Sequence, residues 1–329
     1  GGAAAAGGGA AQPPAALESR GLSTQPSPAL VEFSRTLCAI TRYSQIKCVA
    51  EVASGSEFTT ASNIVSSIDF DRDEKVFATA GVTKCIRVYD YAAVISGAKE
   101  PAIEMYTRSK LSCISWNKDT QAQIASSDYE GVVTLWDAST SQALLEFEEH
   151  EKRVWSVDFC RKEPTLLLSG SDDGKVKIWS TKQPSSVLTV DVRANVCCVK
   201  YNPESSQHIA VGSADHRIHY YDVRQMWKPL YVFAAHRKAV SYVQFADSRH
   251  LVSASTDSTV RVWDTVEHRH VRTLTGHANE KNFVGLTVNS DYIACGSEAN
   301  EVCVYYKEIS KPTMQYAFAP GEGDAQGGG

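Results

Sequence analysis

The chain has 329 residues, 43% of them apolar, and a formal net charge of −5 at pH 7. That length exceeds what one hydrophobic core usually supports, yet no linker divides the middle, so the core is expected to be built from repeated units. The acidic balance argues against direct nucleic-acid binding, and no run of 18 apolar residues offers a helix that could cross a membrane.

In chain order, residues 1–32 are dominated by Gly, Ala, Pro and Ser and are expected to form a disordered linker. They have neither the basic start nor the apolar core of a signal peptide. Nine cysteines without such a leader suit a reducing compartment, and no Cys-x-x-Cys pair is present to hold structural zinc. Residues 46–52 (IKCVAEV) read as a single strand ahead of the repeats. Six alternating hexads follow, each with the period-2 pattern of a strand packed on both faces: VSSIDF from Val65, LSCISW from Leu111, VWSVDF from Val154, VCCVKY from Val196, VSYVQF from Val240 and FVGLTV from Phe283.

Each hexad is followed by a second strand ending in small residues and then a third that closes on an aromatic. The closing pairs are Tyr89-Asp90, Trp136-Asp137, Trp179-Ser180, Tyr221-Asp222, Trp263-Asp264 and Tyr305-Tyr306, spaced by 47, 43, 42, 42 and 42 residues. That period with an aromatic-Asp close marks an all-β WD-repeat β-propeller, one four-stranded blade per unit. The expectation is six complete blades within a domain spanning 33–318. IKCVAEV would be the orphan outer strand of a truncated seventh blade, and 319–329 a disordered tail.

Several polar residues recur at fixed places and read as scaffold. His150, His236 and His277 precede their blade's aromatic by 27 to 29 residues, with Asp172, Asp257 and Glu298 expected as their turn partners. No nucleophile recurs beside them, so no catalytic residues are assigned. Asp215, His216 and His219 straddle a hairpin and read as a solvated turn rather than a metal site. No cofactor loop is present.

One blade departs from the rest. At the second hexad position the units carry Ser66, Ser112, Trp155, Cys197, Ser241 and Val284, and the residues leading into the hexads include Lys110, Lys152, Arg153, Lys238 and Lys281. Two readings stay open from the residues alone. Trp155 either anchors an acidic peptide with an apolar centre or fills the mouth of the channel among ordinary solvated lysines.

Six segments carry a closer likeness: SSDYEGVVTLWD (126–137), EEHEKRVWSVDF (148–159), RANVCCVKYNP (193–203), GSADHRIHYYDVR (212–224), HRKAVSYVQF (236–245) and NEKNFVGLTVNSDYIACGSEANEV (279–302). Together they closely resemble the propeller of the constitutive photomorphogenesis (COP) RING-type E3 ubiquitin ligases and their sister suppressor of phytochrome A (SPA) family. The KLSCISWNK and CCVKYNP runs look more like COP. The resemblance implies a substrate-recognition part acting in nucleus and cytoplasm to repress photomorphogenesis. It would bind acidic Val-Pro peptides of transcription factors and photoreceptors and pair with SPA-type or COP-type subunits.

The family's pocket maps onto Lys110, Tyr129, Arg153, Trp155, Lys238, Glu280 and Phe283. Trp155 and Phe283 would flank the Val-Pro step, with Tyr129 alongside and Lys110, Arg153 and Lys238 meeting the acidic residues. Tyr221-Asp222-Val223-Arg224 resembles the box with which some WD proteins dock a cullin-ligase adaptor; the alternative is a structural arginine. The RING and coiled coil of COP ligases have no counterpart in these residues, so the chain alone is not expected to be an enzyme. The competing readings are an SPA-type accessory subunit and a generic WD-repeat scaffold.

Overall fold

A computed structural model describes residues 27–43, 45–52 and 64–318. Its 24 strands form six antiparallel four-stranded sheets in strict chain order. Blade 1 is β1–β4 (Val65–Phe70, Val76–Gly81, Cys85–Asp90, Ile103–Tyr106) and blade 2 is β5–β8 (Leu111–Trp116, Gln123–Asp128, Val133–Asp137, Gln142–Phe147). Blade 3 is β9–β12 (Val154–Phe159, Leu166–Ser171, Lys175–Ser180, Ser186–Asp191) and blade 4 is β13–β16 (Val196–Tyr201, His208–Ser213, Arg217–Asp222, Tyr231–Ala234). Blade 5 is β17–β20 (Val240–Phe245, His250–Ser255, Thr259–Asp264, Arg269–Leu274) and blade 6 is β21–β24 (Leu286–Val288, Tyr292–Ser297, Glu301–Tyr306, Met314–Ala317).

The hexads form the innermost strands, which pack β1 to β5 to β9 to β13 to β17 to β21. Each pair of consecutive blades closes its own apolar core; Leu168, Ile178, Val199 and Val211 share one between blades 3 and 4. Side chains of one blade also bond the backbone of the next. Asp69 Oδ2 accepts from Trp116 N (2.7 Å) and Asp158 Oδ2 from Tyr201 N (2.9 Å), while Ser67 and Ser156 hydroxyls accept from Ile114 N and Val199 N. Those bonds satisfy edge groups that would otherwise be buried unpaired.

The expected His scaffold is present, with two changes of partner. His236 bonds Asp257 Oδ2 (3.1 Å) and Ser253 Oγ (2.7 Å), and Trp263 Nε1 donates to the same hydroxyl. His150 bonds Ser169 and takes Asp173 (2.8 Å), not Asp172. In blade 6 Cys295 stands where the serine would be, and His277 Nδ1 meets Tyr305 Oη at 2.9 Å rather than Glu298. His219 Nε2 lies 2.8 Å from Asp215, so that turn is internally bonded rather than simply solvated. No group of three or more potential ligands could hold a metal among the described residues.

The front of the chain differs from the expectation. Residues 45–52 carry no strand; Ala50 and Val52 instead pack on Phe77, Tyr89 and Val94 of blade 1. A lone segment with only side-chain packing available cannot hold strand geometry without a partner's backbone ladder. Helix α1 spans Pro28–Arg42, capped by Ser27, so residues 28–32 of the expected linker are helical. Residues 1–26 and the 319–329 tail lie outside the described residues. In blade 6 the expected hexad is a strand only over Leu286–Val288; Phe283 and Val284 lie outside it, and Gly285 keeps one bond to it, its carbonyl accepting from Gly296 N at 3.0 Å.

Candidate functional site

The second hexad position is structurally special. In blades 1 to 5 the pairing register skips it, as at Val65/Ser67, Leu111/Cys113, Val196/Cys198 and Val240/Tyr242; in blade 3 Val154 pairs with Ser171 and Ser156 with Gly170. Trp155 is therefore the extra residue of a β-bulge, a feature that re-aims a side chain out of the alternation of its strand. Ser112, Cys197 and Ser241 at the same place are buried, and the Ser112 hydroxyl bonds Ser127. The indole of Trp155 is only half-buried.

Around it the structure gathers residues from four blades at the end of the ring where the innermost strands begin. Trp155 lies 5.4 Å from Phe283 and 6.1 Å from Tyr129, centroid to centroid, and Phe283 lies 6.5 Å from Tyr242. The Arg153 guanidinium stacks 4.0 Å from the Tyr129 ring centre and 4.8 Å from that of Trp155, within cation–π range. Its Nε is buried without a hydrogen-bond partner. Tyr129 is seated by its N–H donating to Lys110 O at 3.0 Å. Lys110, Lys238 and Glu280 are exposed around this row. Tyr242 was not singled out in the sequence; its signal is the same hexad, third position, where it alone is aromatic.

Rigid local bonds hold the cluster. Trp155 Nε1 donates to Asp172 Oδ1 (2.8 Å), which also accepts from Asn195 Nδ2 (2.9 Å). Glu298 accepts three backbone N–H groups, from Glu280 (2.9 Å), Lys281 (2.8 Å) and Asn282 (2.6 Å), immediately before Phe283. Those three donors hold its carboxyl down at about 2. Lys238 Nζ donates to Glu280 O at 3.3 Å, tying blade 5 to the same loop.

The Trp155 and Phe283 rings meet at 47°. At 5.4 Å between centroids no aliphatic side chain fits between them, since contact on both faces needs roughly 7 Å. They form the two walls of an open V, so an apolar ligand would lie over the pair and not be clasped between parallel rings. Beside Tyr129 and Arg153 a cleft of about 760 Å³ runs between blades 1 and 2, lined also by Lys110, Asp128, Trp136 and Glu146. Blade 2 has Thr107 where blade 3 has His150, so Trp136 Nε1 bonds Ser126 with no imidazole covering it, which leaves room for the cleft.

The outer box is elsewhere, on the rim of blade 4. Tyr221 and Asp222 are buried. Arg224 Nε donates to both carboxylate oxygens of Asp222, at 2.9 and 3.1 Å, and this pairing holds the Asp222 carboxyl at about 2. Of the three, Arg224 alone presents its side chain outward.

Fold and site together define a six-bladed WD-repeat propeller with a cation-edged aromatic row at one mouth. A family model described as WD domain, G-beta repeat, matches residues 52–90, and one described as Nucleolar protein 10-like, N-terminal domain, matches 151–309. E3 ubiquitin-protein ligase COP1 of Arabidopsis thaliana is 58% identical over 304 residues, covering 91% of this chain and 45% of that protein. Protein SPA1-RELATED 4 of the same plant is 45% identical over 295 residues, 87% of this chain and 37% of that protein. WD repeat-containing protein RUP2 is 37% identical over 285 residues, 79% of this chain and 77% of that protein. The chain thus belongs to the COP/SPA family of WD-repeat propellers, and it spans less than half the length of the COP1 ligase it matches.

Proposed function

We propose that this propeller is the substrate-recognition part of a COP-type RING E3 ubiquitin ligase. It binds acidic Val-Pro peptides of transcription factors and photoreceptors over the Trp155–Phe283 trough, directs their ubiquitination and so represses photomorphogenesis. The observation that carries the reading is the half-buried Trp155, projected on a bulge against Phe283 and Tyr129. Val and Pro would lie on the two ring walls, contributing about 1.5–3 kcal/mol each. Arg153, stacked on the Tyr129 and Trp155 rings, and the exposed Lys110 and Lys238 supply positive charge that favours acidic flanks. Ordering a flexible peptide offsets much of this, so micromolar affinity, about −8 kcal/mol, is expected.

The COP-type reading is preferred to the SPA-type one by the higher identity, 58% against 45%. The pairing of Arg224 with Asp222 favours the structural account of the outer box over adaptor docking. Titration calorimetry with an acidic Val-Pro peptide tests the proposal. The native chain should bind, and Trp155→Ala should lose at least about ten-fold in affinity with its folding intact. No binding by the native chain would leave a scaffold without a peptide site.

A further inference from the structure

We infer that Asp172 is a positioning residue for Trp155, and that the residue following the second strand is where this propeller carries the carboxylates that set its two ring walls. The inference rests on the peptide-binding reading of the site. At that position blades 2, 4 and 5 have Tyr129, Ala214 and Thr256, whereas blades 3 and 6 have Asp172 and Glu298. Those two blades supply Trp155 and Phe283. Asp172 bonds the indole directly, and Glu298 fixes the three backbone N–H groups that lead into Phe283.

Neither carboxylate partners the histidine of its blade. The His150 bond belongs to the neighbouring Asp173, and His277 is bonded to Tyr305. An acidic group beside a site for acidic peptides works against their charge, so its presence requires a structural return. Indole has one donor and no acceptor. Turning the ring over would move that donor away from Asp172, so the 2.8 Å bond selects one of the two ring orientations. Asp172 is itself held by Asn195 from the next blade and by its own N–H donating to Arg153 O at 3.0 Å. The trough is thereby shaped before a ligand arrives, which lowers the ordering cost of binding.

Four variants of the full chain test this: Asp172→Ala, Asp172→Asn, Trp155→Phe and the double variant Trp155→Phe/Asp172→Ala. The readouts are peptide affinity by calorimetry and the Trp155 Nε1–H signal in a ¹H–¹⁵N spectrum, assigned by its loss in Trp155→Phe. In Asp172→Ala the indole signal should move and affinity should fall about ten-fold. Asp172→Asn, whose amide oxygen still accepts, should stay within about two-fold. In a Trp155→Phe background, which has no donor to lose, Asp172→Ala should have no further effect on affinity. An unmoved indole signal in Asp172→Ala, an equal loss in the Ala and Asn variants, or additive losses in the double variant would each overturn the inference. If the native chain binds no Val-Pro peptide, the peptide reading falls instead, and the indole signal still decides whether Asp172 orients the ring.

Discussion

Asp172 and Asp173 are neighbours in one turn and serve different partners, Trp155 and His150. Read from the sequence, Asp172 is the expected partner of the histidine, and the turn supplies Asp173 instead. In blades 3 and 5 the partner sits directly before the positive-φ residue, Gly174 at φ 79° or Ser258 at φ 60°. Counting back from that left-handed position gives Asp173 and Asp257, and it removes Glu298 from consideration because Asn300 is the positive-φ residue of blade 6. Composition alone does not mark which turn residue is left-handed when Ser and Asn take the place of Gly, so the His150 pairing was legible only to within one residue and the Tyr305 partner of His277 was not legible at all. Burial pushes His236 below its ordinary value despite Asp257 beside it, and His277 likewise against Asp257 and Glu301. The fold therefore keeps both neutral where the unfolded chain, with imidazoles near 6.5, begins to protonate. Their contribution is fully present above about pH 6.5 and is lost as pH falls toward the depressed folded values. Calorimetric melting should show Tm declining from pH 7.5 to 5.5, less steeply in His277→Gln; a flat profile would contradict the burial argument. At the rim, Lys238→Glu should weaken an acidic Val-Pro peptide by about two- to five-fold at low salt, with the difference shrinking at high salt. A deficit independent of salt would place Lys238 outside the electrostatic path.

The elements explain why strand content was readable and the site's shape was not. Alternation located every innermost strand, including the five that carry a bulge, because the hexads keep their apolar spacing. A bulge is a property of pairing between strands, and VWSVDF does not disclose that Trp155 is skipped by β10. The pattern also overran in blade 6, where FVGLTV alternates but the strand spans only Leu286–Val288, with Gly285 O bonded to Gly296 N ahead of it and Glu298 holding the loop at 280–282. Helix α1 was missed because its Pro-Ser flank reads as linker and its Leu30, Phe33 and Leu37 stay exposed. It docks on blade 6 instead through Thr36 Oγ1 to Glu308 (3.2 Å), Tyr43 against Tyr292, and Tyr292 Oη donating to Ala39 O at 2.6 Å. Tyr292→Phe removes that last bond, worth about 0.5–1.5 kcal/mol. Limited trypsin digestion should then cut after Arg35 or Arg42 about two- to ten-fold faster while the blades melt unchanged. An unaltered cleavage rate would mean that α1 is held by something other than this contact.

At the scale of the ring, equivalent residues have unequal neighbours. Leu111, Ile114 and Trp116 of β5 are buried between blades 1 and 2, while their counterparts in β1, Val65, Ile68 and Phe70, are exposed. Five apolar cores join consecutive blades, whereas the sixth cluster holds only Phe77, Tyr89 and Val94 with Ala50 and Val52 against them. Among the described residues, then, the face of β1 turned away from blade 2 lacks the cover that every later innermost strand up to β17 receives on both sides. Ile68 is 60% exposed and Ile114 only 4%, though they occupy the same position of their hexads. A lysine in place of Ile114 would bury an unpaired ammonium between two sheets, costing several kcal/mol. The same change at Ile68 would leave its charge in water and interrupt an exposed apolar strip of the kind that drives association. Ile114→Lys should therefore fail to fold or melt far lower, and Ile68→Lys should melt near the native chain and scatter less light at high concentration. Equal destabilisation by the two would show that blade 1 is covered in solution as tightly as the rest of the ring, and the asymmetry between the two isoleucines would lose its physical basis.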